Sequence, residues 1–171
     1  MTLRTSLAAA VLGLACTFSI VAAEPFGAHE HGKGVLTLVV EGNEMLVAFE
    51  SAAMNIVGFE NKPNSAEQRA EVTAAIDIFN RADWFQFNAD ANCELTTAEA
   101  NTDLLDTKFH HGHADFYANY QLLCQQPARL KQLQLTLFNL LPSLEQLQVQ
   151  WSINGQQGAT DASLRQSIIR F

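Results

Sequence analysis

A two-residue alternation of apolar and polar side chains runs through most of this chain and commits it to strands. Leu147-Gln148-Val149-Gln150-Trp151 alternates without a break. Phe116, Ala118, Tyr120 and Leu122 fall on one face of the run 116–124. Successive side chains of a strand point to opposite faces, so such runs bury one face and wet the other. Residues 33–40 read as a strand rich in Val and Leu, 41–44 as a turn and 45–50 as the returning strand, because Gly42 and Asn43 tolerate positive φ. Residues 84–87, 93–100 and 133–137 read as further short strands, and Asn154-Gly155 as a turn leading to a last strand over 164–169. Residues 51–59 read as an apolar connector.

One segment breaks the period. Val72, Ala75, Ile76 and Phe79 form a stripe at helical spacing, with Glu67, Arg69 and Glu71 off it. Ser65 stands at the N-cap position and Gln68 three residues later, where a reciprocal capping contact arises. The expected fold is therefore α+β, with antiparallel β-hairpins and one main helix near Ala66–Arg81. Residues 28–101 and 110–171 share an order of His cluster, strand, turn, strand, connector and Trp-bearing strand, which suggests two similar halves.

All five histidines fall in two clusters, His29-Glu30-His31 and His110-His111-Gly112-His113. Neutral imidazole is the commonest transition-metal ligand. His29 with His31, and His111 with His113, are two residues apart and share a face wherever the backbone is extended. The two clusters together offer the four ligands zinc usually takes. A solvated His-rich loop is the plain alternative, and spacing alone divides evenly between the two. Glu30, Glu60, Asp106 and Asp115 are candidate oxygen ligands or partners that orient an imidazole, each weighed against an ordinary surface carboxylate.

The first 23 residues read as a secretory leader. Arg4 gives the positive start, residues 7–21 form an apolar run too short to span a bilayer, and Val21-Ala22-Ala23 supplies small residues before the cut. A lipoprotein anchored at Cys16 is the alternative, disfavoured because Gly13 stands where a larger apolar residue belongs. The mature chain, 24–171, has the usual size of one domain and no membrane span is expected in it. Loss of the leader leaves Cys93 and Cys124. Two cysteines in an exported chain most often pair, with free thiols or metal thiolates as the alternatives. The formal net charge of -8 argues against nucleic acid, whose phosphates call for a basic surface. No nucleophile elbow, phosphate loop, dinucleotide glycine pattern or His-Glu-x-x-His helix occurs, so an enzyme is not expected.

Ala28-His29-Glu30-His31-Gly32 followed by Val35-Leu36-Thr37-Leu38, the stretch 50–60 with Ser51, Met54, Asn55, Gly58, Phe59 and Glu60, and Tyr120-Gln121-Leu122-Leu123-Cys124 carry a family resemblance, as do Leu135-Thr136-Leu137-Phe138 and Pro142. Together they resemble the ZrgA-like family of periplasmic zinc-binding proteins linked to zinc uptake. The resemblance covers nearly all of the mature chain, and Ser-x-x-Met-Asn-x-x-Gly-Phe-Glu is its most specific part. It implies a non-catalytic periplasmic protein that binds Zn2+ and assists or buffers zinc acquisition beside a transporter component. The family's long His/Asp/Glu-rich insertion is reduced here to His110, His111 and His113 among Asp103, Asp106 and Asp115, and Tyr117, Asn119 and Gln121 stand where relatives often carry histidines. Two other readings stand beside zinc: a general copper or nickel chaperone, since imidazole suits all three metals, and an interaction module with incidental histidines.

Overall fold

The computed structural model describes residues 30–108 and 112–171. The expected leader, Cys16 within it, and His29, His110 and His111 lie outside the described residues.

In chain order the elements are β1 (Lys33–Glu41), β2 (Glu44–Ala52), α1 (Ala53–Val57), α2 (Ala66–Arg81), β3 (Phe85–Phe87), β4 (Cys93–Thr102), β5 (Asp115–Cys124), β6 (Gln132–Leu135), α3 (Leu137–Leu140), β7 (Gln146–Ile153), β8 (Gln156–Ser163) and β9 (Ile168–Arg170). Six strands form one sheet in the order β4-β5-β2-β1-β7-β8, and three form a second in the order β3-β6-β9. The alternation decides which face of the large sheet turns inward. Leu36 and Leu38 of β1, Val47 and Phe49 of β2, and Phe116 and Tyr120 of β5 are buried. They meet Val72 and Phe79 of α2 and Leu133 of β6 in one continuous core.

The expected α+β domain of antiparallel hairpins is corrected by this arrangement. The fold is β-rich with a small helical part, and the large sheet is mixed, because β1 pairs antiparallel with β2 but parallel with β7. β1 has the sequence of a strand flanked on both sides: Val35, Thr37 and Val39 on its second face are apolar or β-branched and half-buried, as central strands require. Strands of 28–101 and 110–171 interleave, since β5 lies between β4 and β2. The strand expected over 164–169 is also displaced. Gln156–Ser163 forms β8 as an edge strand with Ala162 as its buried side chain, and only Ile168–Arg170 remains extended after it. Residues 51–59 are not a plain connector: β2 runs on to Ala52 and α1 follows.

α2 occupies the expected residues. The Ser65 hydroxyl accepts from the Gln68 amide at 3.1 Å, and the Gln68 side chain accepts from the Asn64 amide at 2.9 Å, one residue before the cap itself. At its far end Phe79 stacks on Phe49 with ring centroids 4.8 Å apart. Trp84 closes this region. Its indole N–H donates to the Tyr120 hydroxyl at 3.0 Å, and that hydroxyl donates to the Phe79 carbonyl at 2.9 Å.

Burial holds the Tyr120 hydroxyl protonated well above the ordinary tyrosine range, partly offset by the Trp84 hydrogen bond. The native state therefore retains this proton longer than the unfolded chain does. The stability it brings is complete below the unfolded-state value, about 10 for tyrosine, and is lost as pH rises beyond it. Urea midpoints should fall above about pH 10, and Tyr120→Phe should flatten that fall. An equally steep decline in the variant would show that other groups cause it.

Cys93 and Cys124 are disulfide-bonded, as the cysteine count suggested, and face each other directly in the β4–β5 register with Cα atoms 3.8 Å apart. The bridge lies at the opposite end of β5 from His113, so these sulfurs are not ligands alongside that histidine. Replacing either cysteine with serine should lower stability by roughly 3–4 kcal/mol, read by denaturation without reductant.

Candidate metal centre

The backbone brings one histidine of each cluster to the same corner. His31 sits in a turn just before β1, closed by the Lys33 amide donating to the Glu30 carbonyl at 3.1 Å. Gly32 in this turn has φ +80°, a conformation that glycine adopts without strain. The Gly32 carbonyl accepts from the amides of Glu145 and Gln146 at 2.8 and 2.9 Å, which ties the turn to the start of β7. His113 stands two residues before β5. The Ala53 amide at the start of α1 donates to the Ala114 carbonyl at 2.7 Å and so holds that side of the corner.

Glu60 lies between the two rings. α1 ends at Gly58, whose φ of +79° turns the chain while its amide donates to the Met54 carbonyl at 3.1 Å. Phe59 then packs against the core and Glu60 follows. The Glu60 side chain is 12% exposed, with Oε2 2.7 Å from His113 Nδ1 and Oε1 3.9 Å from His31 Nε2. Both imidazoles are well exposed, at 65% and 64%. Donation from His113 Nδ1–H to the carboxylate selects the tautomer whose lone pair is on Nε2, the arrangement by which a carboxylate usually orients a metal-binding histidine. Glu60 Oε1 is buried and accepts no hydrogen bond among the described residues.

These three side chains fit zinc in kind. Two imidazoles are donors zinc uses, and a carboxylate behind one of them orients its ring and adds negative charge near the ion. They are not yet a closed site: among the described residues no three His, Cys, Asp or Glu side chains converge as metal ligands. The i, i+2 pairs His29/His31 and His111/His113 each have one member outside the described residues, so chelation within a cluster lies outside them too.

The other candidate carboxylates have different surroundings. Glu30 pairs with Lys33 across one turn. Asp106 accepts from the Lys108 amide at 2.8 Å, a local turn contact. Asp115 is buried at the start of β5, and the Tyr117 hydroxyl lies 3.3 Å from Asp103 Oδ2 and 3.4 Å from Asp115 Oδ2. Burial first, then these two carboxylates, pushes the Tyr117 hydroxyl well above its ordinary range. Asn55 escaped the list of functional candidates; its place in the Ser-x-x-Met-Asn motif was the available signal.

The fold is thus a strand-built domain that presents two exposed histidines on a largely buried carboxylate at one corner. Residues 28–171 match the model of the ZrgA family of zinc uptake proteins, and the chain belongs to that family. No curated protein matches the chain. The zinc-uptake family and the disulfide are together consistent with an extracytoplasmic protein, and among the described residues no helix is long and apolar enough to cross a membrane.

Proposed function

We propose that this protein is a non-catalytic, periplasmic zinc-binding protein that holds zinc at the His31–Glu60–His113 corner and assists or buffers its acquisition. The observation that carries the reading is the meeting of one histidine from each cluster on a single, largely buried carboxylate. Glu60 supplies negative charge and orients His113. His31 approaches from the opposite side of the carboxylate, and the exposure of both rings leaves the ion accessible from solvent. Two exposed imidazoles, one of them oriented by a carboxylate, leave coordination positions open and release zinc more readily than a closed four-ligand structural site, which suits a protein that passes zinc to a transporter component. His29, His110 and His111 are the remaining donors, either completing this sphere or forming a looser second one.

The test is calorimetric titration of the tag-free, disulfide-intact protein with zinc, followed by competition with copper and nickel. Saturable zinc binding is expected. It should weaken as the solution is acidified, because protons compete with the metal for the binding nitrogen of each imidazole. Tighter, saturable copper or nickel binding would favour a general metal chaperone. A flat titration with all three metals would make the histidines incidental to an interaction module.

A further inference from the structure

We infer that Asn55 is a positioning residue of the metal centre, acting through the backbone that carries His31. The proposal rests on the functional reading above. Asn55 is in the short helix α1 and is 2% exposed. Its Oδ1 accepts from the Gly32 amide at 2.7 Å, and its Nδ2 donates to the Lys33 carbonyl at 2.8 Å and to Ser51 Oγ at 3.1 Å. The Ser51 hydroxyl in turn donates to the same Lys33 carbonyl at 3.1 Å. One amide side chain thus grips one backbone group of each of the two residues that follow His31, the Gly32 N–H and the Lys33 C=O. Both amide hydrogens of Asn55 are used, and the acceptor and donor ends cannot exchange, because one backbone partner is an N–H and the other a C=O.

The same short helix also holds the other side of the corner. Its first amide, on Ala53, is bound to the Ala114 carbonyl beside His113, and the chain leaving it delivers Glu60. α1 is therefore the common support of His31, Glu60 and His113. A surface turn carrying an exposed histidine, without this clamp, would sample many positions, and zinc binding would bear the cost of ordering it. A buried network with every member satisfied fixes one arrangement in advance.

Asn55→Ala should weaken zinc binding about 10- to 100-fold, the range typical of partners that orient a ligand. A merely structural role is separated in two ways. Asn88 grips backbone in the same manner far from the corner, accepting from the Lys131 and Gln132 amides and donating to the Arg129 carbonyl; Asn88→Ala should lower Tm and leave zinc affinity unchanged. In a His31→Ala background the Asn55 substitution should change zinc affinity by less than about twofold, the mark of two residues acting as a unit. Equal losses with and without His31, or no loss in either, overturn the proposal. Should Asn55→Ala fail to fold, Ser51→Ala, which removes one contact of the clamp, should show the same dependence on His31 with a smaller loss. Hydrogen exchange on the metal-free protein tests the clamp apart from zinc. The Gly32 amide should be protected in the parent and in His31→Ala, and exposed to exchange in Asn55→Ala. An unprotected Gly32 amide in the parent overturns the clamp, whereas protection with no zinc binding by the parent overturns the functional reading alone.

Discussion

Replacing Trp84 with alanine should cost about 3–5 kcal/mol, a large share of the 5–15 kcal/mol by which domains are ordinarily stable. Trp84 is fully buried and meets Phe49, Phe79, Phe85 and Tyr120 edge-on, with ring centroids 4.8–6.0 Å apart. Those four rings come from β2, α2, β3 and β5, so the indole is where the large sheet, the helix and the small sheet meet. Its removal leaves a cavity that no single element can close by shifting. It also removes the N–H that the Tyr120 hydroxyl accepts, leaving that hydroxyl with its bond to the Phe79 carbonyl alone. Urea denaturation with the disulfide intact measures the loss. A cost below about 1 kcal/mol would show that the core collapses around the gap instead of keeping its packing.

The second large effect concerns Glu60. Glu60→Gln should weaken zinc binding about 10- to 100-fold while leaving the metal-free protein at least as stable. The substitution keeps the side chain's shape. Its amide oxygen can still accept from His113, but the other end becomes an N–H2 donor where Oε1 now faces His31. The negative charge that attracts the cation is lost as well. Stability moves the other way because Glu60 Oε1 is buried with no hydrogen bond among the described residues, which is costly for a carboxylate, and the amide lowers that cost. Zinc titration and thermal melts in chelator read the two sides separately. Unchanged zinc affinity in Glu60→Gln would remove Glu60 from the centre. A melt lowered to match the affinity loss would make its role structural.

Legibility in the sequence followed the range of the interactions involved. α2 was readable because its stripe, Val72, Ala75 and Phe79, and its cap, Ser65, are local signals. The disulfide was suggested by counting. The parallel pairing of β1 with β7 was not readable, since alternation reports which side chains turn inward and says nothing of a distant neighbour. β8 was missed because an edge strand needs few large apolar residues, and Gln156–Ser163 has none. At the candidate centre the histidines were visible as clusters, and spacing pointed to chelation within each. The described residues bring His31 to His113 across the fold, and chelation within a cluster rests on His29, His110 and His111, which lie outside them. Glu60 stood among four candidate carboxylates with nothing in spacing to separate it from Glu30, Asp106 or Asp115. Its distinction comes from α1, which places it between the two rings.

The parallel β1–β7 pair also sets the order in which the chain can become a protein. β1, near the start, lies in the middle of the finished sheet, yet one of its two neighbours is made only near the end. Until β7 arrives, the β4-β5-β2-β1 part of the sheet ends at β1 with an unpaired edge, and an open edge is a site of wrong pairing. Folding dominated by such distant partners is slow, on the order of milliseconds to seconds. The Cys93–Cys124 bond joins β4 to β5, both of which precede β7, so the chain can be locked on that side of the sheet before β1 gains its last neighbour.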